Sequence, residues 1–172
     1  MSLPRFHNRP NQRLEIDGRE IWHARAVAVV ASVVATVHGQ RHVALIERGP
    51  ALPDEVGKLA LPSGYLDWDE TLFDAARREA YEEIGLDLAE WSASREPWRI
   101  HDAPQQRQNV SVHFYFAREL TALPLLTNSH ADTGEISQTL WLPIEDAIAG
   151  DLAFGHALVL SALLERLTEL AR

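Results

Sequence analysis

Cysteine is absent from the 172 residues. That excludes a disulfide framework, a thiolate nucleophile and every Cys-containing zinc site. Positive charge is scarce as well: 16 Lys and Arg stand against 25 Asp and Glu, a net charge of −9. So acidic a chain presents no broad footprint for polymeric nucleic acid or for an anionic membrane face, and a polyanion must bind locally or through a metal. No apolar run reaches the ~20 residues of a membrane-spanning helix. The longest, residues 24–37, is interrupted by Arg25, Ser32 and Thr36, and its valine content suits a buried strand. The first residues carry no signal-type apolar core, and Pro4 and Pro10 oppose an early helix. A soluble, cytoplasmic protein is therefore expected, with no membrane partner. Repeats, low-complexity tracts and linker-like composition shifts are missing too, so residues 1–172 read as one domain with residues 1–20 as an N-terminal arm.

What is present is a mixture of strand and helix signals. Strands are predicted at 25–37 and 42–47, joined by a turn at Gly39, then at 59–61, 98–101, 110–120 and 139–142. Residues 105–109 form a polar connection between two of them. Residues 71–84 contain neither Gly nor Pro, Asp69 or Thr71 can cap the start, and Gly85 stands where a helix ends. A short helix at 144–149 stops at Gly150. An amphipathic helix at 156–171 carries Leu160, Leu163, Leu164, Leu167 and Leu170 in one stripe. Without strict strand-helix alternation, the pattern predicts an α/β or α+β layered domain with a mixed sheet.

Three acids on the central helix, Glu79, Glu82 and Glu83, are spaced i, i+3 and i+4 and project from one side within about one turn. Like charges at these spacings destabilise a helix by a few tenths of a kcal/mol per pair, and a divalent cation relieves the repulsion. The plain alternative is a solvated acidic face. Placement opposes it: with Leu72 at zero, Ala76 lies at about 40°, Ala80 at about 80° and Ile84 at about 120°, while Glu83 lies at about 20° and Glu79 at about −20°. Two of the acids thus border the buried stripe. Arg78, four residues before Glu82, is placed to orient that carboxylate.

Residues 64–86, GYLDWDETLFDAARREAYEEIGL, resemble the Nudix box, G-x5-E-x7-R-E-U-x-E-E-x-G-U with U a bulky aliphatic. Gly64, Glu70, Arg78, Glu79, Glu82, Glu83, Gly85 and Leu86 match at the required spacing. Ala80 replaces the usual larger aliphatic, and Ser63 stands where a glycine often precedes Gly64. Residues 25–48, 57–64 and 137–146 are similar to the segments that flank the box in this family.

The resemblance implies a Nudix-type α/β/α sandwich and a hydrolase that uses Mg²⁺ or Mn²⁺ to cleave a pyrophosphate bond. Its substrate would be a small molecule, a nucleoside diphosphate linked to another moiety. It implies Glu79 and Glu83 as metal ligands, Glu82 as ligand or base, the Gly64 carbonyl as a further oxygen ligand, and Glu70 and Arg78 as residues that hold the helix carboxylates in place. Arg48, at a strand end, is a candidate for substrate phosphate, with exposure to solvent as its plain alternative. Glu135 falls in a loop where many family members carry an additional acid. Glu82 is preferred to Glu135 as general base because a motif fixes its position. Tyr65, Trp68 and Phe114 suit core or rim packing better than stacking on a base, and His101 and His113 carry no assignment. Residues 101–103 match neither the ADP-ribose nor the dinucleoside polyphosphate marker of the family. ADP-ribose or a nucleotide sugar is the first substrate expectation and nucleoside triphosphates the second. The alternative is a non-catalytic nucleotide-binding or protein-interaction module of the same fold, and the sequence leaves homodimer formation open.

Overall fold

The computed structural model describes residues 11–103, 109–128 and 133–170. Residues 105–108 of the predicted connection at 105–109, the first ten residues, Asp132 and the burial of Leu170 lie outside the described residues.

The chain begins with β1 (Gln12–Ile16) and β2 (Arg19–His23), an antiparallel hairpin in which every residue is exposed. The described part of the expected N-terminal arm, residues 11–20, thus lies largely within strand structure that the sequence reading did not predict. Asp17 and Gly18 both have positive φ, 51° and 74°, the geometry of a tight two-residue hairpin turn. The main sheet starts with β3 (Val27–Val37) and β4 (Gln40–Arg48), joined by His38 and Gly39, again both at positive φ. It is completed by β5 (Leu59–Ala60), β6 (Ser63–Tyr65), β7 (Ser92–Ala93), β8 (Arg99–His101), β9 (Val110–Leu120) and β10 (Ile136–Pro143). The path runs β10-β4-β3-β9-β7, with β5 on β4, β6 on β3 and β8 on β9. β3 and β9 are parallel over their whole length, and the other pairs are antiparallel. The sheet is therefore mixed, as expected. The three-residue β6 and two-residue β7 were not predicted because so short a run holds no alternation to read.

Helix α1 (Leu72–Ile84) covers one face. Thr71 caps it, its Oγ1 accepting from the Asp74 N–H, and Gly85 ends it in the left-handed region. Ala75, Ala76, Ala80 and Ile84 are fully buried against Val29, Ala31 and Val33 of β3 and Phe114 and Phe116 of β9. Ala80, the departure from the family's bulky aliphatic, thus sits inside a closed core. The other face is covered by α2 (Ile144–Ala149) and α3 (His156–Leu170), whose Ile144, Leu160 and Leu163 pack on Val30, Val34, Val43 and Leu45. β3 is buried from both sides, which accounts for its nearly unbroken apolar run. Among the described residues no helix is long and apolar enough to cross a membrane.

One feature of the register positions the site. The second half of β3, from Val34 to Val37, pairs with β4, whereas Ala28 to Val30 pairs with β6. β4 and the first half of β3 diverge, and the chain returning through β5 and β6 lines the opening.

Candidate active site

Arg78 organises the acidic helix. Its Nε and Nη2 donate to the two oxygens of Glu70 at 3.0 and 2.8 Å, Nη2 also reaches the Tyr65 carbonyl at 3.0 Å, and Nη1 donates to Glu79 at 2.8 Å and Glu82 at 2.9 Å. These bonds raise the guanidinium pKa further and hold the Glu70 carboxyl below the usual range. Glu70 in turn accepts from the Asp67 N–H at 2.9 Å, so the loop ahead of the helix is tied to the helix through one cation.

Glu79 and Glu83 line a cavity of about 430 Å³, together with Gly64 and Glu135. Both helix carboxyls have raised pKa values. Burial is the leading cause at Glu79, with Arg78 opposing it, and burial pushes Glu83 up to about 8. At Glu83 the Ser63 N–H, donating at 2.8 Å, and Arg48 pull the other way, while Glu79 and Glu135 add repulsion. Gly64 is required by close approach: a Cβ there would overlap the Glu79 carboxylate. Desolvated carboxylates facing one cavity create a demand for positive charge, and a set of hard oxygen donors fits Mg²⁺ or Mn²⁺. Among the described residues no three His, Cys, Asp or Glu side chains are gathered closely enough to enclose an ion by themselves.

Glu135 enters from the segment before β10. The Gly49 N–H donates to its carbonyl at 2.7 Å and the Ala51 N–H to that of Gly134 at 3.1 Å. A Cβ at Gly49 would overlap the Gly134 carbonyl. Gly134 has φ 72°, but these bonds fix the loop against the end of β4.

Arg48 is buried, which corrects the expectation of a solvated strand end. Its Nε and Nη2 hold the Asp54 carbonyl at 3.1 and 3.0 Å, Nη2 also donates to the Asp54 carboxylate at 2.7 Å, and the guanidinium lies 4.4 Å from the Phe154 ring centroid. Phe154 has φ 62°, a costly conformation for a bulky residue. His156, the first residue of α3, accepts from the Leu61 N–H at Nδ1, 3.0 Å away, and packs edge-on to Phe154.

The structure thus brings Glu79, Glu83, Glu135, Gly64 and Arg48 to one cavity. Glu82 lies beside it, bound to Arg78, and Glu70 lies behind Arg78. Phe114 is core, as expected, but Trp68 is fully exposed and so neither core nor rim. Tyr65 borders the cavity, its hydroxyl accepting from Asn109 Nδ2 at 3.0 Å. The sequence reading missed Asp54, Asn109, Ser111, Phe154 and His156, and gave no role to His101 or His113, all of which line the cavity. One signal existed: Ser111 and His113 are polar at alternate positions in the aromatic and aliphatic first part of their strand, 110–116.

Comparison with known proteins places this geometry among relatives. The profile of the NUDIX domain matches residues 24–163. An RNA pyrophosphohydrolase of Bartonella tribocorum is 27% identical over 104 residues, 54% of this chain and 60% of that protein. One of Bartonella bacilliformis is 28% identical over 104 residues, covering 53% and 61%. The chain therefore spans about 60% of the length of the curated relatives it matches. Among solved structures, the NUDIX domain of Shewanella oneidensis NrtR complexed with ADP ribose superposes with a TM-score of 0.65 at 21% identity, over 84% of this chain and 89% of that one. A bifunctional NMN adenylyltransferase/ADP ribose pyrophosphatase of Francisella tularensis, complexed with AMP and a manganese ion, gives 0.65 at 21% identity, over 83% and 42%. At these identities the superpositions carry the fold alone, while the profile spans most of the chain: it belongs to the NUDIX domain family.

Proposed function

We propose that the protein is a divalent-metal-dependent pyrophosphohydrolase acting on a nucleoside diphosphate derivative. The observation that carries this reading is the convergence of Glu79, Glu83 and Glu135 on one cavity whose remaining wall is largely uncharged. Glu79 and Glu83, with the Gly64 carbonyl, would hold Mg²⁺ or Mn²⁺. When bound, the cation screens the diphosphate oxygens and lowers the pKa of a coordinated water. Arg78 positions Glu79 by a direct bond and Glu82 by another, with Glu70 locking the guanidinium from behind. Glu135 is better placed than Glu82 to accept the proton of the attacking water, since it borders the cavity and Glu82 is committed to Arg78. Arg48 forms part of the same wall, its charge directed at Asp54 and Phe154.

ADP-ribose and nucleotide sugars are the first substrate class, and nucleoside triphosphates the second. The ADP ribose and AMP bound in the two superposed structures support a nucleotide ligand. The curated relatives named RNA pyrophosphohydrolase favour one further candidate, an RNA end bearing a pyrophosphate bond; the net charge of −9 weighs against it. The test is product identification over a panel of these substrates, with and without Mg²⁺, for the wild type and Glu83→Gln. Hydrolysis only with the cation, lost by orders of magnitude in a folded Glu83→Gln protein, is expected. Metal-independent turnover, or an unchanged variant, overturns the metal assignment. Nucleotide binding without any hydrolysis returns the chain to the non-catalytic module.

A further inference from the structure

The wall of the cavity formed by the sheet is built differently from the side that carries the glutamates. The registers β6-β3-β9-β8 set two rows of residues across one face of the sheet: Tyr65, Ala28, Ser111 and His101 in one, Ser63, Val30, His113 and Arg99 in the next. Residues directly opposite in adjacent strands point to the same side. Small side chains, Ala28 and Val30, sit in the middle of these rows and hollow the surface, and Ser111 and His113 border the hollow on β9.

His113 is the anomaly. It is 2% exposed and lines the cavity, yet neither ring nitrogen has a hydrogen-bond partner among the described residues. Trp98, edge-on with ring centroids 6.2 Å apart, has an unpartnered Nε1 as well. A buried polar group left without a partner costs about 1–3 kcal/mol. An apolar ring at this position would avoid that cost. Burial, reinforced by Arg99 and His101, pushes the His113 pKa down to about 4. The ring is therefore neutral at pH 7, with one nitrogen donating and the other accepting.

We infer that His113, with Ser111 beside it on the floor formed by Ala28 and Val30, is the specificity-determining residue that reads the nucleobase of the substrate. An uncharged planar ring with adjacent donor and acceptor atoms matches what a neutral imidazole and a hydroxyl offer. Such a ring fits the shallow hollow that the small side chains leave, and being uncharged it needs neither the carboxylates nor a cation held by them. The diphosphate would then lie towards Glu79 and Glu83, so that one cavity separates recognition from cleavage. This assignment deepens the pyrophosphohydrolase reading and rests on it for the placement of the diphosphate, but base recognition needs neither metal nor turnover.

The test uses the full chain without added metal. Adenosine, guanosine, cytidine and uridine are titrated against it, with ribose as the base-free control, and binding is followed by calorimetry and by the histidine ring-nitrogen NMR signals. At least one nucleoside is expected to bind where ribose does not, and to shift the His113 ring signals of the wild type. His113→Phe, which keeps a ring but removes both polar atoms, should weaken that nucleoside by about tenfold or more. His113→Gln, which restores a donor and an acceptor, should recover part of the loss. Should His113→Phe fail to fold, the wild-type ring signals decide alone. Equal binding of ribose and nucleosides, no nucleoside binding, or unchanged affinity in a folded His113→Phe overturns the inference. Nucleoside binding without cation-dependent hydrolysis would sink the pyrophosphohydrolase reading and leave the base site standing; hydrolysis with a His113-independent affinity would do the reverse.

Discussion

Replacing Arg78 by Lys keeps the charge and removes the fork. The guanidinium makes two bonds to Glu70 and one each to the Tyr65 carbonyl, Glu79 and Glu82, reaching opposite sides of a plane at once. An ammonium donates from a single point and can serve Glu70 or the helix pair, not both. At least two charge-assisted bonds are lost. Each is worth ~1.5–3 kcal/mol, and the lower figure applies because the Arg78 side chain is 27% exposed. The expected destabilisation is thus about 3 kcal/mol, or a fall in Tm of roughly 6–12 °C for a domain of this size. The effect on turnover should be larger in proportion. Glu79 loses the bond that aims it, and a displacement of ~1 Å at a reacting centre costs ~10²-fold in rate. Steady-state kinetics on a hydrolysed substrate should therefore show kcat down about a hundredfold with KM changed less than about threefold, at a temperature where thermal melting shows the variant folded. A rise in KM with kcat intact would refute the reasoning and make Arg78 a phosphate ligand.

Two further outcomes follow from the same geometry. In pH–rate profiles, Glu135→Gln should lose the acidic limb of kcat while metal binding persists and Glu82→Gln should keep it; the opposite pattern returns the proton-accepting role to the helix. His113, with a pKa of about 4 when folded against the ordinary 6.5 when unfolded, contributes stability that is full above pH 6.5 and is lost as pH falls towards 4, because the unfolded chain takes up the proton first. Two and a half pH units correspond to about 3 kcal/mol, so the wild type should lose about that much unfolding free energy relative to His113→Phe as pH falls from 7 to 4. A pH-independent difference would show that the ring does not titrate in the folded state as described.

The sequence disclosed the fold where local chemistry decides it. The helix at 71–84 was legible from Thr71, the acids and Gly85 because caps act within one turn, and the structure returns Leu72–Ile84 with both caps in place. Val110–Leu120 was legible from its aromatic and β-branched content. The first hairpin was not predicted although Asp17-Gly18, flanked by Leu14, Ile16 and Ile21, is a strong short-range hairpin signal; its strands bury no face, so no sustained apolar alternation marks them. Glu79 and Glu83 were placed at the buried edge by angle alone, and both line the cavity. Arg48, Phe154 and His156 could not be assembled in that way. They come from β4, the turn before α3 and α3 itself, and only the tertiary fold brings residue 48 against residue 154. His113 was visible as a polar residue between Val112 and Phe114, but its missing partners are a property of the packed interior and of nothing local.

The parallel ladder between β3 and β9 also governs how the chain reaches its native state. Val27 pairs with Val110 and Val37 with Leu120, so every bond in the longest ladder closes a loop of about 80 residues. During synthesis the strand Val27–Val37 leaves the ribosome long before its parallel neighbour exists; it finds β4 at once through a two-residue turn, but only over Val34–Val37. Its first half, VAVV followed by Ala31, stays unpaired on the β9 side until residue 120 emerges. That stretch combines high β propensity with no charge, the composition of an aggregation-prone window. Folding should be slow for a chain of this length, and yield on refolding should fall with protein concentration, because a strand that lines the cavity waits some 80 residues for its parallel partner.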